Sequence, residues 1–348
     1  MRPILSAIAS YGMSGSVFHA PLLHAHPNFS LSKILERSKR DSRMRYPDVA
    51  TVRQFEELCL DPGIELIVVN TPDATHYPLC RQALEAGKHV VVEKPFTLTG
   101  SEAEELIELA GKQGVVLTVF QNRRWDGDFL TVKKLIARGV LGRLVAFESH
   151  FDRYRNFIQP ATWKEVRNTG AEILYNLGSH LIDQAYVLFG MPQAVFADMG
   201  IQRSGGEVDD FFNVRLRYDE MNVILCASYL VREPGPRFIL HGTEGSFLKW
   251  GLDPQEEKLK AGALPGTAGW GEDERGNWGK LNTSVGDLHF QGFIETIPGN
   301  YPAFYDGLAA AIRKGMRPPV DPLDSLQVIR IIEASIRSNS VRAELPVT

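Results

Sequence analysis

Glu93 and Lys94 close the run His89-Val90-Val91-Val92 and are followed at once by Pro95. Three successive valines read as a strand buried on both faces, as in a parallel sheet covered by helices. Proline removes a ladder donor and turns the chain out of the sheet. A carboxylate and an ammonium are thereby expected at the carboxyl end of a parallel strand, where open α/β sheets bind ligands. An ammonium there can hold an oxygen and stabilise developing alkoxide charge. A second set lies far along the chain. On a helix, Asn176 and His180 stand four residues apart and share a face, with Asp183 three further on. A histidine titrates near working pH and suits proton transfer, although a single histidine on an apolar face is also a common core residue. The third set, Ser10-Tyr11-Gly12-Met13-Ser14-Gly15, fits S-x-G-x-x-G after an apolar run. That spacing supplies a tight turn, close backbone approach and helix N-terminal amides, the needs of a bound pyrophosphate.

The elements that must position these residues alternate strand and helix. Strands are predicted at Ile4–Ala9, Phe29–Leu35, Ile64–Val69, His89–Val92 and Val115–Val119. Helices are predicted over Val17–His24, Tyr77–Ala86 and Ser101–Lys112, the βαβ signature of a parallel sheet. Just past the second strand comes Glu36-Arg37-Ser38-Lys39-Arg40. A carboxylate there favours NAD through the ribose 2′-hydroxyl, whereas Arg37 and Ser38 favour the 2′-phosphate of NADP. Both signals are present. Thr71 and Pro72 are expected cofactor walls, and His76, near a helix start, either lines the cofactor or caps and packs.

Strand-S-x-G-x-x-G, T-P-x-x-x-H and A-G-K-H-V-V-V-E-K-P together resemble the glucose–fructose oxidoreductase, inositol dehydrogenase and MocA (Gfo/Idh/MocA) superfamily. Gly12-Met13-Ser14-Gly15-Ser16-Val17-Phe18-His19-Ala20-Pro21 and Phe120-Gln121-Asn122-Arg123-Arg124-Trp125-Asp126 are similar to its NADP-dependent scyllo-inositol dehydrogenase branch. The resemblance continues to Ile297-Pro298-Gly299-Asn300-Tyr301-Pro302. It implies an α/β protein with an N-terminal Rossmann dinucleotide-binding domain and a C-terminal α+β domain bearing a large open, mostly antiparallel sheet. It also implies a cofactor contacted by Tyr11, Gly12, Met13, Ser14, Gly15, Glu36, Arg37, Ser38, Thr71, Pro72, His76, Glu93, Lys94 and Asn122. Family members carry D-x-G-x-H-x-x-D where this chain reads Asn176 to Asp183, so catalytic roles are expected of Lys94, His180 and Asn176. Asn176 replaces the first aspartate and is the clearest departure from the pattern.

The 348 residues fit two domains at roughly 150 residues each. The boundaries expected are 1–123 for the dinucleotide domain and 124–322 for substrate binding and oligomerisation, with a C-terminal helix in 323–348 returning to the first domain. After a helix at Trp125–Arg138, consecutive strands at Leu144–Tyr154, Ala194–Ile201, Phe211–Tyr218, Val223–Val231, Phe238–His241 and Ser246–Trp250 argue antiparallel pairing. Gly262–Gly286, with Trp270 and Trp278, reads as a long loop or lid. Asn122, Arg123, Tyr154, Trp163, Lys94, Asn176 and His180 form a polar set suited to a small polyol or sugar. Net charge is −4, with 44% hydrophobic and 23% charged residues, which favours neither a nucleic-acid nor a membrane surface. Cys59, Cys80 and Cys226 lack metal-like spacing and read as reduced cytoplasmic thiols. The expectation is an NAD(P)-dependent dehydrogenase, NADP preferred, requiring no metal and forming a homodimer or homotetramer. A non-catalytic NADP-binding sensor on the same fold is the alternative.

Overall fold

The computed structural model describes residues 2–160, 162–166, 169–170 and 172–347. Two compact units are present. The first comprises 1–125, 255–270 and 300–326, and the second 126–254, 271–299 and 327–348. Where the sequence reading drew boundaries at 123 and 322, the first unit thus gathers three separate segments of chain, and residues 327–348 group with the second.

The first unit is built on a parallel sheet of six strands: β1 (Ile4–Ile8), β2 (Phe29–Leu35), β3 (Ala50–Val52), β4 (Leu66–Val69), β5 (His89–Val92) and β6 (Leu117–Val119). Their order is β3-β2-β1-β4-β5-β6, with the reversal between β1 and β4 that opens a crevice at the carboxyl edge. Val90, Val91 and Val92 are fully buried, as a doubly covered strand requires. Each contributes about 1.5–3 kcal/mol by leaving water. The 14-residue helix Gly100–Gln113 starts at a capping box, Thr99 with Glu102, and stops at Gly114 in the left-handed region.

Residues 300–326 complete this unit. Helix Pro302–Lys314 has proline at its first position and ends at Gly315, φ 64°. Tyr301, Phe304 and Tyr305 are fully buried. Phe304 meets Phe120 edge-on at 4.9 Å, and Tyr305 meets Phe29 at 5.6 Å. The Asn300-Tyr301-Pro302 end of that motif therefore leads into a packing element of the first unit.

The second unit holds nine strands in the order β14-β13-β12-β11-β7-β10-β9-β8-β15. They are β7 (Leu144–His150), β8 (Ala194–Gly200), β9 (Phe211–Arg217), β10 (Asn222–Ser228), β11 (Phe238–Gly242), β12 (Gly245–Lys249), β13 (Gly279–Val285), β14 (Leu288–Ile294) and β15 (Leu345–Pro346). All neighbours are antiparallel except β7 and β10, because β7 inserts between two later hairpin sets. The expected loop at 262–286 is corrected in part, since β13 occupies its last stretch and pairs with β14. Val285 faces Leu288, leaving Gly286 and Asp287 as a two-residue turn with Gly286 at φ 60°.

Among the described residues no helix is long and apolar enough to cross a membrane, and no group of His, Cys, Asp or Glu could hold a metal ion. The three cysteines are free, and burial pushes the thiols of Cys59 and Cys226 up to about 11 and about 12.

Candidate active site

The turn after β1 shows why serine can stand where dinucleotide loops carry their first glycine. Among the described residues Arg342 is the sole non-glycine with positive φ, so Ser10 needs no left-handed backbone. Its hydroxyl instead accepts from the Gly12 amide at 3.1 Å and tightens the turn. Gly15 admits no side chain: a Cβ there would lie 2.0 Å from the Ser10 carbonyl oxygen and 2.8 Å from Asn70 Nδ2. Asn70 Nδ2 donates to that carbonyl at 2.8 Å, while its buried Oδ1 has no hydrogen-bond partner among the described residues. Gly12 and Met13 are exposed, and Tyr11 is half-buried with its ring edge-on to Tyr46. The cradle therefore fits a dinucleotide: Tyr11 to Gly15 offer backbone to a pyrophosphate, and Gly15 lets the helix approach the strand.

Gly15–His19 forms a π-helical turn, with the Ala20 amide bonded back to the Gly15 carbonyl. The wider turn carries His19 inward, where it is fully buried. Its Nε2 lies 3.0 Å from Glu93 Oε1 and its Nδ1 2.7 Å from the Tyr305 hydroxyl. Ser14 Oγ donates to the same Glu93 oxygen at 2.5 Å, and the Lys94 amide donates to the other at 3.1 Å. Glu93 thus links the glycine turn to the base of Lys94. Burial alone would raise its carboxyl, but the hydrogen bond and charge of the His19 ring, the Ser14 hydroxyl and the Lys94 ammonium outweigh it and hold Glu93 down at about 2. Burial and the nearby Glu93 charge keep Tyr305 well above the usual phenol range, so it remains a hydroxyl. His19 and Tyr305 were not picked out by the sequence reading. Their available signal was the position of His19 four residues after Gly15.

Glu36 is buried, and its carboxylate accepts from the Asp41 and Ser42 amides and the Ser42 hydroxyl. Arg37 and Ser38 are exposed beside it. His76 is fully buried between the Pro95 carbonyl at 2.8 Å and the Thr71 carbonyl at 3.0 Å. It ties the turn after β4 to the turn after β5, and Thr71 and Pro72 remain half-buried at that edge. Asn122 and Arg123 follow β6 in a short 3₁₀ turn and are both buried. One terminal nitrogen of Arg123 pairs with Glu256 at 2.7 Å, so that part of the guanidinium is engaged within its own unit.

In the second unit, Asn176 and His180 do not lie on one regular α-helix. Leu174–Gly178 is a π-helical turn leading into helix Ser179–Phe189. Asn176 sits in the wide turn and His180 in the first turn of the helix that follows it. Asn176 Nδ2 donates to the Tyr229 hydroxyl at 3.3 Å, a residue the sequence reading missed. His180 and Asp183 are buried, and the Phe151 ring stacks near His180 at 6.4 Å. Tyr154 is exposed, with the Arg232 guanidinium 4.2 Å over its ring. Buried Arg203 pairs with Glu165 and Asp210, both at 2.9 Å, and donates to the Phe157 carbonyl. It ties Phe157 and Glu165 to Asp210, just before β9. Trp163 opens a 3₁₀ turn in that segment, and its side chain lies outside the described residues.

A 3-2-1-4-5-6 parallel sheet with a glycine turn after its first strand defines the class, a dinucleotide-binding Rossmann fold. Residues 4–121 match the oxidoreductase family's NAD-binding Rossmann fold, and residues 133–348 its C-terminal alpha/beta domain. The chain belongs to the Gfo/Idh/MocA oxidoreductase family. It is 42% identical over 332 residues to scyllo-inositol 2-dehydrogenase (NADP(+)) IolW of Bacillus subtilis, covering 95% of this chain and 92% of that one. The solved structure of YvaA from Bacillus subtilis is similar at TM-score 0.95 and 41% identity, covering 99% of each chain. An oxidoreductase from Bacteroides fragilis reaches 50% identity at TM-score 0.91, covering 99% and 100%.

Proposed function

We propose that this oxidoreductase is an NADP-dependent dehydrogenase acting on a secondary alcohol of a polyol or sugar, with scyllo-inositol and its ketone as the first pair to test. The observation that carries the reading is Lys94, held at the carboxyl end of β5 through a Glu93 side chain that also grips the dinucleotide turn. Bound NADP would accept the hydride released from the carbinol carbon. Lys94 then holds the substrate oxygen and stabilises the alkoxide character that develops as its proton leaves. His180 takes that proton as general base. Asn176, Asn122, Arg123, Tyr154 and Trp163 are proposed to orient the remaining hydroxyls. The NADP(+) specificity of the 42%-identical relative supports the cofactor choice.

The test is purified protein with NADP or NAD against a panel of inositols and sugars, followed at the nicotinamide absorbance. Turnover of an inositol with NADP is expected. NADPH binding without turnover of any polyol would favour the sensor reading, which Asn176 at the aspartate position makes specific.

A further inference from the structure

We propose that Glu36 is not a ribose ligand but a positioning residue that, together with Arg53, braces residues 37–40 as a binding turn for the 2′-phosphate of the dinucleotide. The inference rests on the NADP reading above and deepens it. A carboxylate at the end of the second strand of this fold ordinarily accepts from the ribose 2′-hydroxyl and thereby selects NAD. Glu36 stands at that place in the chain, but its acceptor capacity is directed inward. Oε1 accepts from the Asp41 amide at 2.9 Å, and Oε2 accepts from the Ser42 amide at 3.3 Å and the Ser42 hydroxyl at 2.5 Å. The residue is only 5% exposed. Turning outward to a ribose would strip two backbone amides of their acceptor and leave Ser42, itself buried, without one.

A second brace crosses the same turn. Arg53, just beyond β3, donates through one guanidinium nitrogen to the Glu36 carbonyl and to the Lys39 carbonyl, the latter at 2.6 Å. The backbone on both sides of Arg37 and Ser38 is therefore tied down: carboxylate bonds fix the exit at 41–42, and the guanidinium fixes the carbonyls at 36 and 39. Between these ties, Arg37, Ser38, Lys39 and Arg40 are all exposed. Asp41 approaches one of them, at 3.7 Å from Lys39 Nζ, but that pair is largely solvated. Three cations and a hydroxyl on a braced turn are donors for a phosphate dianion, and the bracing lowers the ordering cost of binding it. A glutamate at the position that ordinarily selects NAD thus acts in favour of NADP.

The experiment is calorimetric binding of adenosine 2′,5′-bisphosphate and of AMP, fragments that differ only in the 2′-phosphate, to wild type, Glu36→Gln, Ser42→Ala and Arg37→Ala, with thermal melts to confirm folding. Wild type is expected to prefer the bisphosphate, and Arg37→Ala to lose that preference. Glu36→Gln should weaken the bisphosphate by roughly tenfold and leave AMP unchanged. Ser42→Ala, which removes one bond to Glu36 while keeping the carboxylate, should shift the bisphosphate in the same direction by a smaller factor. If Glu36→Gln instead weakens AMP and spares or strengthens the bisphosphate, the carboxylate reads the ribose and the proposal is overturned. Should Glu36→Gln fail to fold, Ser42→Ala decides alone, and unchanged bisphosphate affinity there overturns it. A wild type that binds both fragments equally refutes the NADP reading itself, a result distinct from either variant outcome.

Discussion

Replacing Glu93 by glutamine would remove one buried charge while keeping its shape and one of its two acceptor oxygens. The carboxyl is held at about 2, against an ordinary value of 4.5. The difference of about 2.5 units, at about 1.4 kcal/mol per unit, corresponds to roughly 3 kcal/mol of folding stability. The folded value is the depressed one, so this contribution is fully present above pH 4.5 and is lost as pH falls from there through 2. By pH 3 less than half of it remains, so some 2 kcal/mol disappears between neutrality and pH 3. The assay is urea denaturation of wild type and Glu93→Gln in parallel from pH 7 to pH 3. Other carboxylates titrate in both proteins, and the difference between the two curves isolates Glu93. The gap in unfolding free energy should narrow by about 2 kcal/mol across that range. A gap that stays constant with pH would refute the idea that His19, Ser14 and Lys94 together stabilise an ionised Glu93.

Three further outcomes follow from the same geometry. Lys94→Ala should lower kcat on the turned-over polyol by on the order of a hundredfold with folding intact, and near wild-type turnover would remove Lys94 from the chemistry. Gly15→Ala forces a Cβ to within 2.0 Å of the Ser10 carbonyl oxygen. It should abolish measurable NADPH binding by fluorescence and lower the melting temperature, whereas unchanged binding would mean the cradle is misassigned. Asn176→Asp introduces a charge into the π turn before His180, and the acidic limb of the pH–rate profile should move upward by a fraction of a unit to about two units. Superimposable profiles would show that position 176 does not sense the proton-accepting group.

The sequence was most legible where composition was least ambiguous. His89–Val92 is a strand with the limits its valines and the following Glu-Lys-Pro imply. The parallel character of the first sheet follows from the βαβ alternation, whereas β3, only three residues long and half-exposed, left no apolar run to find. Legibility failed where hydrogen-bond periodicity departs from the regular helix. Both π turns, Gly15–His19 and Leu174–Gly178, lie in stretches whose apolar spacing reads as ordinary α-helix. In the first the irregular turn hid a fully buried histidine, and in the second it set Asn176 in a wide turn ahead of the helix that carries His180. The β13–β14 hairpin was missed because Lys280, Asn282 and Ser284 dilute the apolar signal within a glycine-rich region, although Gly286-Asp287 is a hairpin turn pair. Glu36 illustrates a different limit: strand position marks where a side chain stands, not which way its acceptors point.

The three-part make-up of the first unit bears on how the protein is made. Phe18, His19 and Phe120 emerge early from the ribosome, yet Tyr301, Phe304 and Tyr305 pack against them from much later in the chain. At roughly 5–20 residues per second, the interval between Phe120 and Tyr301 lasts about 10–40 s. Throughout that time the nascent sheet carries an uncovered aromatic face, and the partner His19 needs at Nδ1 does not yet exist. A stalled chain ending near residue 125 would carry every Rossmann strand and still present that sticky surface to chaperones.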